Sequence, residues 1–256
     1  MSIAVRAAMV TGASRGIGLE FVRQMVALPS PPEVLVAACR DPSSATDLQN
    51  LTKSNPNLKI VKLDVEKDED IEEAFKETQA LLGEKGLNIL INNAGHYDKS
   101  DAGELRQINR QIMQKHFNIN VTGQLMVIQK FLPLLELAVA ERGSKQLNCQ
   151  AQVILMASML SSQTLTYREG KRTCLHYKCS KTAATLAGIM LSRELLRDAG
   201  IHVLLLHPGS VRTDMGGPKA TISPQESING CLNIIAASSE ATTGKFLQYS
   251  GEELPY

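Results

Sequence analysis

Neither sign of charge predominates in this chain: 27 Lys and Arg stand against 26 Asp and Glu, a formal net charge of +1 at pH 7. Such a balance lays down no electrostatic footprint for nucleic acid or an anionic membrane, so neither is an expected partner. Long apolar runs are also missing, and no stretch approaches the roughly 20 residues of a membrane span. The N-terminal apolar segment is interrupted by Arg6 and taken up by a first strand, which does not read as a signal peptide. A cytoplasmic location is expected. Cysteines are few and odd in number, and the irregular spacing of Cys39, Cys149, Cys174, Cys179 and Cys231 fits reduced thiols rather than a disulfide framework. Cys174, His176 and Cys179 crowd together but lack a fourth ligand nearby, so no metal site is expected. No internal repeat, linker or low-complexity tract divides the chain.

What remains is a chain of 256 residues, 43% hydrophobic, long enough for one sizeable core and of ordinary length for a single α/β domain. Apolar, β-branched runs predict strands near residues 5 to 11, 33 to 39, 58 to 63, 87 to 92, 151 to 157, 201 to 207 and 244 to 249, alternating with helical stretches. That alternation predicts one doubly wound, Rossmann-type α/β domain spanning 1–256, with a seven-stranded, mainly parallel sheet and helices on both faces. The charge run from Lys67 to Glu77 spaces Ile71, Ala74 and Phe75 as a solvated amphipathic helix does. The longest helical stretch, about Glu104 to Ala140, is expected to break before Asn109 and bend at Pro133.

Two clusters carry chemistry. Tyr177 and Lys181 stand four apart, so on a helix they share a face, and the ammonium can lower the phenol pKa from its usual value of roughly 10. Upstream, Ser158 ends the apolar run Val153 to Ala157. A phenol, an ammonium and a hydroxyl gathered at one carbonyl make a proton-delivery device, although the spacing alone also describes a wet helix face. At the other end of the chain, the strand Ala7 to Val10 runs into Thr11-Gly12-Ala13-Ser14-Arg15-Gly16-Ile17-Gly18. Glycines let a backbone approach a pyrophosphate, whose charge a helix N-terminus stabilises. A plain strand-to-helix turn is the alternative.

Together with Asn92-Asn93-Ala94-Gly95, Asn120-Val121-Thr122-Gly123 and Pro208-Gly209-Ser210-Val211-Arg212-Thr213, in this order over nearly the whole chain, these clusters make the sequence resemble the short-chain dehydrogenase/reductases. The His207-Pro208-Gly209 and Thr213 to Pro218 segments and the chain's ending look like the sniffer and C-factor-like carbonyl reductase branch. Ser210 stands where that branch usually carries a bulky aromatic, which implies a differently shaped pocket.

The resemblance implies that Tyr177 is the general acid, with Ser158 bonding the same substrate oxygen and Lys181 bonding the nicotinamide ribose. Asn120 would hold a water that refills the proton. Ser161 and Ser162 compete with Ser158 for its role. The implied cofactor site comprises Gly12, Ser14, Arg15, Gly16, Ile17 and Gly18, then Arg40, Asp64 and Val65, then Asn92, Ala94 and Gly95, with Tyr177 and Lys181. Pro208, Gly209, Val211 and Thr213 would form the loop over the nicotinamide.

An acidic residue at the end of the second strand would select NAD. Ala38-Cys39-Arg40 stands there, and Arg40 with Arg15 can clamp a 2′-phosphate, so NADPH is the expected cofactor. Asp41 keeps NAD open, and either arginine is alternatively a surface residue. Asp64 is alternatively a helix cap. The polar stretch Thr166 to Thr173 is expected as a flexible rim over the site, with Met215 to Lys219 as a second specificity loop. His96 and Tyr97 face either substrate or solvent. The expected activity is reduction of a small or medium aldehyde, ketone or quinone. An NADPH-binding signalling protein with little turnover and an NAD-dependent alcohol dehydrogenase are the rival readings. A homodimer is expected through helices near residues 104 to 140 and 177 to 199.

Overall fold

The computed structural model describes residues 5–100, 104–140, 151–170 and 173–256. Four strands come first: β1 (Ala7–Thr11), β2 (Val34–Cys39), β3 (Leu58–Lys62) and β4 (Ile89–Asn92). The helices α1 (Gly16–Val26), α2 (Thr46–Ser54) and α3 (Asp68–Leu82) connect them in turn. Then follow α4 (Arg110–Phe117), α5 (Gln124–Ala140), β5 (Gln152–Met156), α6 (Gln163–Glu169), α7 (Leu175–Ala199), β6 (His202–His207), α8 (Pro224–Ala236) and β7 (Phe246–Gln248). All seven expected strands are present.

They form a single sheet in the order β3-β2-β1-β4-β5-β6-β7, and every pairing is parallel. Strands covered on both faces need no polar side, which is why β1, β4, β5 and β6 are buried along their whole lengths. Because successive side chains point to opposite faces, one sheet serves two cores. Met9, Leu90, Val153 and Leu205 face α3, α5 and α7, where Phe131 and Leu134 are fully buried. Val10, Ile91, Ile154 and Leu204 face α1, α2 and α8, where Phe21 and Met25 are fully buried. Each of these large side chains contributes about 2–3 kcal/mol by leaving water.

The order reverses direction between β1 and β4, so the crevice at their carboxyl ends is the place where such sheets take a ligand. The long helical stretch does break before Asn109, whose side chain caps α4 by accepting from the Gln111 and Ile112 N–H groups at 2.9 and 3.1 Å. α4 then passes through one π-helical segment, Asn118–Gly123, into α5, which runs on through Pro133. From Arg110 to Ala140 this run is long and apolar enough to span a membrane by length and composition alone, which the sequence reading did not anticipate. Here Val127, Ile128, Phe131, Leu134 and Leu135 are buried in the core instead.

Candidate active site

The glycine turn is held shut by its own backbone. Gly12 and Gly16 adopt φ of +64° and +55°, the left-handed region that glycine enters without strain. A Cβ on Gly18 would lie 2.3 Å from the Gly12 carbonyl oxygen, so the turn cannot close around any larger residue. Asn93 fastens this turn by donating from Nδ2 to the Thr11 and Gly12 carbonyl oxygens at 2.8 and 3.2 Å. Thr11 answers through Oγ1, which accepts from the Asn93 and Ala94 N–H groups. A Cβ on Gly16 would meet only the Thr213 side chain, at 3.4 Å. The mouth of the turn therefore opens toward the loop after β6, where Ser14, Arg15 and Ile17 remain partly or fully exposed.

Around this mouth the expected cofactor residues divide. Arg40 and Arg15 are exposed at the crevice edge, and Arg15 lies 3.8 Å from Asp214 in a solvent-exposed pair of little strength. Asp41 turns inward to its own loop: Oδ1 accepts from Ser43 N–H, Ser43 Oγ and Ser44 N–H, and these bonds hold its carboxyl below the usual range. Asp64 accepts from the Glu66 N–H at 3.2 Å in a turn ahead of α3, whose N-cap, Lys67, makes no side-chain cap bond, and Val65 is buried. Asn92 does not face the crevice. It is fully buried and donates to the Gln124 carbonyl of α5 at 3.1 Å, because β4 directs it to the opposite side from Asn93. Ala94 stays beside the turn, its carbonyl accepting from Gln124 Nε2 at 2.9 Å.

Across the crevice, the carboxyl end of β5 and the first turns of α7 bring Ser158, Tyr177 and Lys181 together. Ser158 hydrogen-bonds the Tyr177 phenol and also accepts from the Leu160 N–H at 3.2 Å. Burial pushes the phenol up to about 12, a rise that the Ser158 bond opposes. The depression expected from Lys181 is therefore absent in the protein alone. Lys181 is buried, with Nζ 5.9 Å from the Tyr177 ring centroid, and it donates to the Met156 carbonyl at 2.9 Å. Burial pushes this ammonium down to about 8. Ser161 and Ser162 serve structure: Ser161 donates to the Ser158 carbonyl at 2.7 Å and accepts from Thr185 at 2.9 Å, while Ser162 caps α6.

Asn120 sits in the π-helical segment with both Nδ2 hydrogens and one Oδ1 lone pair engaged. Oδ1 accepts from the His96 N–H at 2.7 Å, and Nδ2 donates to the His96 carbonyl and to Ser180 Oγ at 2.9 and 3.0 Å. A Cβ on Gly95 would lie 3.5 Å from Asn120 Oδ1 and 3.7 Å from Lys181 Nζ, so the missing side chain leaves a gap beside the ammonium. The gaps at Gly16 and Gly95, with exposed guanidinium groups at one end and a buried ammonium at the other, fit an elongated dinucleotide phosphate. In the loop after β6, Gly209 has φ +85°, the Pro208 carbonyl accepts from Ser227 Oγ at 2.6 Å, and Val211 is buried. His207, just before it, is kept neutral by burial, which pushes its imidazole down to about 4.

Several residues around the tyrosine were not legible as a group. Tyr97 places its ring edge-on to that of Tyr177, with centroids 5.2 Å apart, and its hydroxyl lies 3.3 Å from Cys174 Sγ. His96 and Tyr97 thus lie inside the site's aromatic surround rather than on a free loop. His116 accepts from the Asp98 N–H at 3.2 Å and packs 6.1 Å from the Tyr177 ring. Thr166 to Glu169 belongs to helix α6 rather than to a flexible rim; Lys171 and Arg172 lie outside the described residues, as does Cys149. Among the described residues no cluster of His, Cys, Asp and Glu could hold a metal.

An α/β oxidoreductase is the class this arrangement defines. The short chain dehydrogenase family model matches residues 6–222, and the chain belongs to that family. Its structure is similar to that of NADPH-bound carbonyl reductase from chicken fatty liver, with a TM-score of 0.91 at 36% identity, covering 98% of this chain and 99% of that one. The carbonyl reductase Sniffer of D. melanogaster gives the same TM-score at 29% identity, over 98% of this chain and 100% of the other. The C-signal protein of Myxococcus xanthus is 33% identical over 170 residues, 66% of this chain and 93% of that protein. These similarities fall in the branch that the segments after β6 pointed to.

Proposed function

We propose that the protein is an NADPH-dependent carbonyl reductase acting on an aldehyde, ketone or quinone. The observation that carries this reading is the hydrogen-bonded Ser158–Tyr177 pair with Lys181 buried beside it, facing the glycine turn across one crevice. NADPH, when bound, supplies the hydride. Tyr177 donates its phenolic proton to the carbonyl oxygen as negative charge grows there, and Ser158 donates a hydrogen bond to the same atom. Donors aimed where charge develops favour the transition state over the ground state. Lys181 holds the ribose and, once cofactor is bound, supplies positive charge to the phenol that the protein alone does not bring to bear. Asn120 braces this arrangement, and with both Nδ2 hydrogens in use any proton-relay water falls to its main chain or to its second Oδ1 lone pair.

Arg40 and Arg15 hold the 2′-phosphate in this reading. Asp41, engaged with Ser43 and Ser44, is not turned toward a ribose, and the chicken enzyme's bound NADPH supports the same preference. A cytoplasmic homodimer is part of the proposal, with contacts through α5 and α7, where Leu137, Leu186 and Met190 are exposed. Equilibrium binding of NADPH and NADH to the protein and to Arg40→Asp tests the cofactor assignment. Preference for NADPH that collapses in Arg40→Asp supports it, and equal affinities in both proteins contradict it.

A further inference from the structure

Helix α6 buries none of its own side chains, yet it forms one wall of a cavity of about 190 Å³. Met159 and Leu160, next after Ser158, make a second wall, and Lys178, next after Tyr177, lies on a third. Neither Ser158 nor Tyr177 lines this cavity, but α6 is joined through its cap, Ser162, to the segment that carries Ser158, so its position bears on the wall beside that donor. A seven-residue helix whose side chains are at most half-buried has few contacts of its own to fix its position.

Something distant holds it. Thr164 donates from both its N–H and its Oγ1 to the main-chain carbonyl oxygen of Tyr256, at 3.0 and 2.6 Å. Tyr256 is anchored in turn: its hydroxyl donates to the Gly244 carbonyl at 2.6 Å, and its ring stacks against that of the fully buried Phe246, with centroids 6.2 Å apart. The preceding residues lie along β7, where Leu254 is buried and donates to the Phe246 carbonyl at 2.8 Å, and Glu253 pairs with Lys245 at 3.0 Å.

We infer that residues 253–256 form a strap tying α6 to the sheet edge, and that Tyr256, acting through Thr164, is a positioning residue that sets which carbonyl substrates fit beside Ser158 and Tyr177. Tyr256 touches none of the reacting groups. The substrate half of this inference rests on the carbonyl reductase reading; the structural half does not.

Thr164→Val, Tyr256→Ala and Tyr256→Phe test it, with hydrogen exchange at the 163–169 amides read beside kcat, KM and NADPH affinity for a small aldehyde and a bulky aromatic ketone. In Tyr256→Ala, exchange in α6 is expected to quicken about tenfold or more. KM for the bulky ketone should shift about fivefold, while NADPH affinity and kcat for the small aldehyde stay within about twofold. Tyr256→Phe, which keeps the ring, should recover most of the wild-type behaviour, and Thr164→Val should move in the same direction as Tyr256→Ala. Unchanged exchange and unchanged KM in both Thr164→Val and Tyr256→Ala would overturn the inference. So would a uniform loss of kcat accompanied by weaker NADPH binding, which is the mark of general damage. If the wild-type protein reduces no carbonyl, the reductase reading fails and the exchange rates alone decide whether the strap exists.

Discussion

Asn120 and His96 exchange hydrogen bonds in both directions, side chain to main chain, across the wall of the crevice. This clasp joins the π-helical segment to the turn after β4, and the second Nδ2 hydrogen extends it to Ser180 on α7. Asn120→Ala would take the partner from the half-buried His96 N–H and carbonyl, while Ser180 keeps its bond to the Tyr177 carbonyl, and is expected to cost about 2 kcal/mol of stability in addition to any loss of turnover. Urea unfolding checks it. A midpoint close to wild type would mean that water replaces the amide and that the clasp is weak.

Lys181 gives the protein a pH signature without any ligand. Its folded pKa of about 8 lies below the ordinary 10.5, so the folded state holds fewer protons than the unfolded state between those values. Stability then rises with pH across that window, and below about pH 8 the buried ammonium costs about 3 kcal/mol. Tyr177 acts oppositely: its raised pKa makes the folded state the tighter proton binder from pH 10 to about 12, so stability falls there. Unfolding midpoints at pH 7.5 and 9.5 should increase for wild type and stay level for Lys181→Met, with the variant the more stable at the lower pH. Parallel pH profiles for the two proteins would refute the assignment.

Two glycines of one turn should respond differently to alanine. At Gly18 the new Cβ collides with the Gly12 backbone, so Gly18→Ala is expected to lose stability by about 2 kcal/mol or more, together with cofactor affinity. At Gly16 the only close neighbour is the Thr213 side chain, and the cost is the left-handed backbone, about 1 kcal/mol. Gly16→Ala should therefore fold and lose mainly NADPH affinity, because its Cβ enters the mouth of the turn. Calorimetry and cofactor titration on both variants separate these outcomes.

Ser158 and Ser161 make a similar contrast on one short segment. Ser158→Ala removes a donor to the developing oxyanion and should lower kcat by about 10²-fold or more while folding normally. Ser161→Ala breaks the bonds to the Ser158 carbonyl and Thr185, so it should cost about 1–2 kcal/mol of stability and much less activity per molecule folded. Equal losses of kcat in both would indicate that Ser158 acts only by shaping the segment.

The central strands were legible because strands buried on both faces must be largely apolar, whereas β3, at the sheet edge, alternates and exposes Lys59 and Lys62. Ser158, Tyr177 and Lys181 stood out by type and spacing, but that spacing equally describes a wet helix face, and it was the family resemblance that singled them out. The sequence pointed to Asn92 as the cofactor-side residue, but adjacent residues at a strand end are told apart only by which face each one takes, and it is Asn93 that fastens the glycine turn. The π-helical segment has no periodicity of its own. Its one sequence trace is Gly123, where a Cβ would lie 2.4 Å from the Val65 carbonyl oxygen. α6 read as loop because a helix that buries nothing carries no apolar stripe, and the partner that steadies it, Tyr256, lies 92 residues away along the chain.

Protonation of a carbonyl by Tyr177 while NADPH is consumed is the step on which the proposed activity depends. The most direct measurement is NADPH oxidation in the presence of a panel of aldehydes, ketones and quinones, with wild type beside Tyr177→Phe and with NADPH affinity measured for both. Turnover by wild type is expected to disappear in Tyr177→Phe although the variant still binds NADPH. Turnover that survives the loss of the phenol, or tight NADPH binding by wild type with no carbonyl reduced, would contradict it.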